Sequence, residues 1–156
     1  MKKDINTNKG FTLIEILVVI GIIAILATIV IIAINPARQF AQARNTQRLS
    51  NINTILNAIG QNIADNRGTF TCAGIGTAIG TPTASTTVGT AGGNSNLGAC
   101  LVPTYIASGI PMDPTSGTAA DTKYWVSASA SGSVMVCAPT AAESAIPGSS
   151  AICVVR

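Results

Sequence analysis

The stretch KGFTLIEILVVIGIIAILATIVIIAI, residues 9–34, decides how this chain is built. The nineteen residues from Ile16 to Ile34 include fourteen Ile, Leu or Val and no charged side chain. About 20 apolar residues are enough for a helix to cross a bilayer of roughly 30 Å. One carboxylate, Glu15, nevertheless stands at the start of this run. An ionisable side chain at the edge of a membrane span indicates a functional residue, because its desolvation is costly.

The charge of the chain gives no sign of a nucleic-acid partner or of an enzyme. Only 10% of the 156 residues are charged, and histidine is absent. Histidine triads, histidine metal ligands and histidine acid–base catalysis are therefore excluded. From Phe11 onward six basic residues accompany five acidic ones, so no basic patch marks a nucleic-acid surface. Because carboxylates are few and the four cysteines are expected to be paired, the sequence predicts a protein that is not an enzyme and has no cofactor.

The first ten residues, MKKDINTNKG, are polar and basic, like the start of an export signal. The apolar run that follows is longer than the roughly 7–15 residues of a cleaved signal peptide, so the sequence favours a retained span. Basic residues flank the span on both sides, which balances the positive-inside rule: they are Lys2, Lys3 and Lys9 before it and Arg38, Arg44 and Arg48 after it. All four cysteines follow the span. This predicts a single-pass protein of the inner (cytoplasmic) membrane, with a cytoplasmic amino terminus and a head exported to an oxidising compartment.

A second helical pattern begins after the span. Residues 36–68 continue the helix as an amphipathic half, and Pro36 at its start is expected to kink the helix or to remove one hydrogen bond. Apolar residues recur at spacings of three and four, as on one face of a helix: they are Leu49, Ile52, Leu56, Ile59 and Ile63. Gly68 is placed to end the helix in the left-handed conformation. With residues 11–35 as the membrane half, the pattern predicts a helix of about 50 residues.

The head, residues 69–156, is predicted to be a small sheet domain. Residues 76–93 are rich in Gly and Thr and predict an exposed low-complexity loop. Tyr124–Ala130 and Ser133–Ala138, with a turn between them at Ser131-Gly132, predict a β-hairpin, and the terminal AICVVR predicts a third strand. Packing the apolar stripe of the helix on this antiparallel sheet gives an α+β fold.

Four cysteines allow three pairings, and their order along the chain favours Cys72 with Cys100 and Cys137 with Cys153. The second pair lies in neighbouring predicted strands, whereas the first would close the Gly-rich loop. A zinc site of four cysteines is disfavoured because the sequence has no C-x-x-C pair. A head of fewer than 90 residues has a thin core, so disulfides are expected to stabilise it.

The stretch KGFTLIEILVVIGIIAIL resembles the amino-terminal signature of type IV prepilins and of the pseudopilins of type II secretion. The matching residues are Lys9, Gly10, Phe11, Thr12, Leu13, Ile14 and Glu15, followed by the apolar helix. The resemblance covers about the first 60 residues, including the helix ARNTQRLSNINTILNAI. It implies cleavage after Gly10 by a prepilin peptidase at the cytoplasmic face and methylation of the new amino group on Phe11. Gly10 suits such a site because a residue without a side chain lets a protease approach the backbone.

The resemblance implies that Glu15 acts in assembly. The ammonium group that cleavage creates on Phe11 is a candidate partner for its carboxylate, in the same chain or in a neighbouring subunit. Pairing between subunits would make Glu15 a device that fixes their register. In the alternative interpretation, Glu15 is a boundary residue that reaches the lipid headgroups. The chain departs from the family pattern in two ways: Pro36 lies about a turn further along than the proline of many pilins, and the tyrosines that often follow the helix are absent.

The implied function is that of a structural subunit of a type IV pilus-like filament, with prepilin peptidase, other pilins and a membrane assembly machinery as partners. A pseudopilin that works as a secretion piston has the same signature and stays open as an alternative. A single-span anchored binding protein that never polymerises is a more distant one. The loop GIPMDPTSGTAADTKYW faintly resembles the loop of major pseudopilins that can hold calcium, with Asp113 and Asp121 as candidate ligands. Two carboxylates in such a loop are more often turn formers, so the sequence favours that role and predicts no metal site.

Overall fold

A computed structural model of the chain describes residues 10–72, 85–129 and 131–156. The chain divides into two compact units, Met1–Gln39 and Phe40–Arg156. The other residues are 1–9, before the predicted cleavage site, 73–84, most of which fall in the predicted Gly- and Thr-rich loop, and Ala130, in the predicted hairpin. Predictions made for them lie outside the described residues.

The first unit contains helix α1, Leu13–Ala33. Its 21 residues extend about 31 Å at 1.5 Å per residue, which matches the hydrocarbon thickness of a bilayer. Every residue of α1 is exposed. Among the described residues, α1 is the one helix that is long and apolar enough to cross a membrane.

Helix α1 does not continue into the next helix. Ile34 has extended dihedral angles (φ −96°, ψ 111°), and helix α2 starts afresh as Pro36–Asp65. Asn35 caps α2, because its side-chain oxygen accepts a hydrogen bond from the Arg38 N–H at 3.2 Å. Pro36 has no N–H to donate and suits the first position of a helix, whereas the residue before a proline avoids the α region. Two helices thus replace the single helix of about 50 residues that the sequence pattern predicts.

In the second unit, helix α2 packs one face into the head. Its buried apolar residues beyond the first turns are Ile52, Ile55, Leu56, Ala58 and Ile59. The predicted stripe is wrong at Leu49, which stays 42% exposed, and it omits Ile55, which is fully buried. The buried face is displaced from Leu49 because the adjacent Arg48 points into the head, where it is only 1% exposed.

Four short strands form one antiparallel sheet in the order β1-β2-β3-β4. The strands are β1 Thr86–Thr87, β2 Trp125–Ala128, β3 Val134–Ala138 and β4 Ile152–Val155. Together with α1, α2 and the short helix α3, Gly98–Leu101, they confirm the predicted α+β class. Strand β1 lies in the stretch that was predicted to be an exposed loop, and Val88 directly after it is only 1% exposed. The described part of that stretch therefore contributes to the core.

The core lies between the inner face of the sheet and α2. Side chains alternate along a strand, so Val126, Val134 and Val136 share the inner face and are at most 5% exposed. Leu97 and Leu101, before and within α3, are fully buried beside them. Burial of an apolar side chain of this size contributes about 1.5–3 kcal/mol relative to exposure.

Hydrogen bonds fix the path of the chain where α2 ends. Gly68 has φ 88°, and its N–H donates to the Ile63 carbonyl at 2.8 Å, which closes the helix end. The Asn62 side chain then pairs in both directions with the backbone of Thr71. It accepts from the Thr71 N–H at 3.0 Å and donates to the Thr71 carbonyl at 3.1 Å.

Two cysteine pairs lie at disulfide distance, Cys72 with Cys100 and Cys137 with Cys153. The Cα atoms of the first pair are 5.0 Å apart and those of the second 4.1 Å. Cys137 and Cys153 stand directly opposite each other in β3 and β4. The first pair joins the segment after α2 to α3, and the second joins the last two strands.

Candidate functional site

The predicted assembly residue, Glu15, takes part in a capping box at the start of α1. Thr12 is the N-cap residue, with extended dihedral angles (φ −82°, ψ 149°). The Glu15 carboxylate accepts hydrogen bonds from the Thr12 N–H and from the Thr12 hydroxyl, each at 2.8 Å. In return the Thr12 hydroxyl oxygen accepts the Glu15 N–H at 3.3 Å. These bonds satisfy donors that a helix start leaves open.

The capping box was readable in the sequence and was missed. A Thr followed three residues later by Glu, just before an apolar run, is the usual signature of this motif. A charged partner was predicted for Glu15, whereas the partner in the structure is the neutral side chain and N–H of Thr12. Within residues 10–72, 85–129 and 131–156, Glu15 forms no ion pair. Its negative charge is instead stabilised by the partial positive charge at the start of helix α1.

The predicted processing residues lie directly before this box. Gly10 and Phe11 are both exposed, and Phe11 is 85% exposed. Nothing lies within 4 Å of the position that a Cβ atom on Gly10 would occupy. Cleavage between them would place a new amino group on the residue next to Thr12. Cleavage at this bond, methylation of Phe11 and its pairing with Glu15 stay predictions.

The apolar surface of α1 is unpartnered in the chain itself. All fifteen Ile, Leu and Val side chains from Leu13 to Ile32 are at least 49% exposed. They surround the helix on every side, so no orientation of a single copy in water would cover them. Since burial of one such side chain is worth about 1.5–3 kcal/mol, the helix requires lipid or other apolar helices around it.

A second group of charged residues, which sequence reasoning missed, lies inside the head. Arg48 on α2 is 1% exposed, and its Nε donates to Asp113 Oδ2 at 2.6 Å. A further guanidinium nitrogen pairs with Glu143 Oε1 at 2.5 Å. Arg44, one turn earlier on α2, pairs with the same carboxylate of Glu143. We call these four residues the ion-pair cluster.

The carboxylate of Asp113 is saturated with donors. Besides Arg48, it accepts the Thr140 hydroxyl at 2.5 Å and the Thr115 N–H at 2.9 Å. Burial raises the pKa of Asp113, but the hydrogen bonds from Arg48, Thr115 and Thr140 outweigh burial and hold the pKa well below its usual range. The pKa of Glu143 is lowered to about 2 by its hydrogen bonds with the two arginines. Both carboxylates are therefore charged at neutral pH, and the cluster joins α2 to two distant segments of the head.

The two calcium candidates are both engaged by basic side chains. Asp113 is bound by Arg48, and Asp121 pairs with Lys123 Nζ at 2.5 Å. In the described part of the chain, no group of three or more Cys, Asp or Glu side chains is arranged to hold a metal ion. Calcium at these residues would have to displace a guanidinium and an ammonium group.

Pro36 and the cysteines complete the set of predicted site residues. Pro36 is the first residue of α2, where it marks the boundary between two helices. The cysteine pairs lie in the head, where they join neighbouring segments of the fold. Neither feature lies near the capping box in the sequence.

Comparison with known proteins identifies the amino-terminal segment. Residues 5–31 match the family model described as the prokaryotic N-terminal methylation motif. The chain therefore carries the prepilin-type signature of type IV pilins and pseudopilins. The match ends within α1 and does not include the head. No curated protein and no solved structure matches the chain.

The motif points to a structural subunit and not to an enzyme. It implies processing by a prepilin peptidase and assembly into a pilin-like filament. The apolar helix α1 near the amino terminus fits a membrane-anchored protein.

Proposed function

We propose that this chain is a structural subunit of a type IV pilus-like filament. It is stored in the inner membrane through α1, with its amino terminus in the cytoplasm and its head exported. Prepilin peptidase cleaves it after Gly10, and the new amino group of Phe11 is methylated. The assembly machinery then extracts the subunit and stacks it with other copies through α1. The observation that carries the proposal is the apolar helix α1, which is exposed on all sides and lies mostly within the methylation motif of residues 5–31.

The energetics of α1 support an exchange between lipid and neighbouring helices. In lipid the apolar side chains are already away from water, so association of the helices depends on close packing and polar contacts instead of on the hydrophobic effect. Transfer from membrane to filament therefore has a small net free energy per residue. A few polar contacts then decide which arrangement forms, and Glu15 is the one acidic side chain on α1.

The capping box gives Glu15 a defined state before assembly. Its carboxylate is held by the N–H and the hydroxyl of Thr12, which are neutral donors. The ammonium group of a processed Phe11 is a stronger partner, because it adds the attraction between two opposite full charges to the hydrogen bond. We propose that Glu15 exchanges Thr12 for this ammonium group on docking, which fixes the register between subunits.

The first test is the mass of the amino-terminal peptide of protein from its native cells. A peptide that starts at Phe11 and carries one additional methyl group is expected. A peptide that starts at Met1 would indicate a plain anchored protein, and a start after Ala33 would indicate an ordinary exported one. Either result would overturn the proposal.

A matched pair of variants separates charge from capping. Glu15→Gln keeps an acceptor for Thr12 but removes the charge, whereas Thr12→Val removes the cap and keeps the charge. If the charge serves docking, filaments are lost in the first variant and persist in the second, while both chains are processed and reach the membrane. Normal filament yield from Glu15→Gln would contradict a docking role for the Glu15 charge.

A pseudopilin of type II secretion is the second candidate, since the methylation motif is shared by both classes. Deletion of the gene distinguishes them. Loss of surface filaments with normal protein secretion supports the pilin. Retention of secreted proteins inside the cell supports the pseudopilin.

A further inference from the structure

A pocket of about 510 Å³ opens on the head. The described residues that line it come from four segments that are separate in the sequence, within 88–90, 96–102, 108–112 and 119–122. All of them belong to the second unit, and none is part of the ion-pair cluster. Sites that bind small molecules usually measure about 300–1,000 Å³, so this pocket has the size of such a site. We call it the head pocket.

One wall of the head pocket is held together by hydrogen bonds between the segment after β1 and the segment before β2. The Thr122 N–H and the Thr122 hydroxyl both donate to the Val88 carbonyl, at 2.9 Å and 2.6 Å. The Thr90 N–H donates to the Ala119 carbonyl at 3.0 Å. Because a collapse of this wall into the pocket would break these bonds, the space is preformed.

A second wall is formed around α3. Leu97 and Leu101 are fully buried, and the pairing of Cys100 with Cys72 ties α3 to the segment after α2. Gly98, on the pocket side of α3, has no side chain that would occupy the space. Both walls are therefore fixed by contacts within the head, as is usual for ligand sites.

The lining of the head pocket is mostly apolar, and none of the described residues in it is charged. Asp113 and Asp121 each adjoin a lining residue in the sequence, but their carboxylates are bound by Arg48 and Lys123. An ion in this pocket would lose hydration and gain no opposite charge in return. The pocket therefore favours an uncharged ligand. Its larger apolar side chains are Val88, Val102, Ile110 and Met112.

The lining also contains a polar side chain that is free to bind a ligand. Among the described residues, the Asn96 side-chain amide forms no hydrogen bond. Asn96 Oδ1 and the Ile110 side chain lie on either side of the space over Gly98, at 3.3 Å and 3.7 Å from the position that a Cβ atom on Gly98 would occupy. An amide has both donors and an acceptor, so it is complementary to a second amide.

We propose that the head pocket binds a small uncharged molecule that combines an apolar group with an amide. The apolar group lies against the Val88, Ile110 and Met112 side chains, and the amide pairs with that of Asn96. A concave site between two fixed walls suits a small molecule better than a flat protein surface. The inference goes beyond the proposed filament and does not depend on it.

Titration with benzamide tests the proposal, because benzamide has an apolar ring and one amide. Benzoate has nearly the same shape and carries a negative charge. The ¹⁵N-labelled full chain in a mild detergent is titrated with each compound, and the backbone amide signals of the pocket glycines Gly89, Gly98 and Gly109 are followed by NMR. Gly148, which is exposed and outside the lining, is the internal control.

We expect saturable shifts of the three pocket glycines with benzamide, no shift of Gly148, and an apparent affinity for benzoate that is weaker by about tenfold or more. Shifts that rise without saturating, or equal affinities for the two compounds, would overturn the inference.

Two variants locate the binding site. Ala99→Phe places a ring in the head pocket and should weaken benzamide binding by about tenfold or more, whereas the matched control Ala151→Phe, at an exposed position outside the lining, should bind like the wild type. Asn96→Leu keeps the size of the side chain without its amide and should weaken binding by about tenfold, through the loss of two hydrogen bonds. Unchanged affinity in either pocket variant, with the urea midpoint of Trp125 fluorescence also unchanged, would overturn the inference.

Filament yield separates a small ligand from the other possible occupant, a side chain of a neighbouring subunit. Ala99→Phe and Ala151→Phe are expected to form filaments in equal yield. A lower yield from Ala99→Phe, together with no saturable benzamide shift in the wild type, would assign the head pocket to a subunit contact, so that the inference fails and the proposed filament stands. Saturable binding in a chain that never polymerises would overturn the proposed function and support the inference.

Discussion

Replacement of Arg48 by methionine tests the ion-pair cluster directly. Arg48 and Asp113 have side chains that are 1% and 0% exposed, and 2.6 Å separates Arg48 Nε from Asp113 Oδ2. Methionine fills similar space, so the substitution mainly removes the charge and its hydrogen bonds. The Asp113 carboxylate is then left buried with only hydroxyl and amide donors. Loss of one member of a buried ion pair costs about 3–5 kcal/mol, a large part of the roughly 5–15 kcal/mol that stabilises a typical domain.

The assay is urea unfolding of the full chain in a mild detergent, followed by the fluorescence of Trp125. Trp125 is the single tryptophan of the chain, so the signal reports on the head alone. With a slope of about 2 kcal/mol per molar urea, the midpoint should fall by about 2 M. The control is Arg38→Met, at an exposed arginine that forms no ion pair with any described residue, where the change should stay within about 0.5 kcal/mol.

A double variant decides whether the lost stability comes from the unpaired charge. Arg48→Met combined with Asp113→Leu leaves no charge of this pair buried, and apolar replacement of a whole buried pair is often neutral. We expect it to recover most of the midpoint that Arg48→Met loses. A loss below about 1 kcal/mol in Arg48→Met, or no recovery in the double variant, would refute the reasoning.

Three further predictions follow from the head. The pKa of the Glu143 carboxyl is lowered from 4.5 to about 2 in the folded state, so its contribution to stability is present above pH 4.5 and is lost as the pH falls toward 2. Urea midpoints measured across this interval should fall less steeply for Glu143→Gln than for the wild type. Gly89→Ala would drive a methyl group into the Ala120 carbonyl and should cost about 1–3 kcal/mol in thermal unfolding, whereas Gly92→Ala, with nothing within 4 Å, should cost far less. Calcium should leave the melting temperature unchanged, because Asp113 and Asp121 are already paired with basic side chains. A clear rise in melting temperature that EDTA reverses would show a calcium site.

Local patterns made much of the fold predictable. The apolar run defined α1, since no other structure accommodates so many Ile, Leu and Val in sequence. Alternating residues around Ser131-Gly132 located the hairpin, and the observed strands β2 and β3 lie within the predicted ones. Strand β1 could not be recognised because it is only two residues long and lies in a stretch rich in Gly and Thr.

The ion-pair cluster could not be predicted from the sequence for a different reason. Arg48 is 65 residues from Asp113 and 95 from Glu143 in the sequence, and no local pattern relates positions so far apart. Burial of an arginine also contradicts the periodicity argument, which placed Leu49 on the inner face. The three-residue spacing of Thr12 and Glu15, in contrast, is a local signal, and the capping box could have been recognised from it.

The break between α1 and α2 limits how far unwinding can spread. Helix melting propagates along a ladder of backbone hydrogen bonds, and within residues 10–72 none joins the end of α1 to the body of α2 across Pro36. The first bonds of α2 come instead from its own cap, Asn35. Unravelling of α1 therefore removes no backbone hydrogen bond of α2, which keeps its own cap at Asn35 and its own buried face.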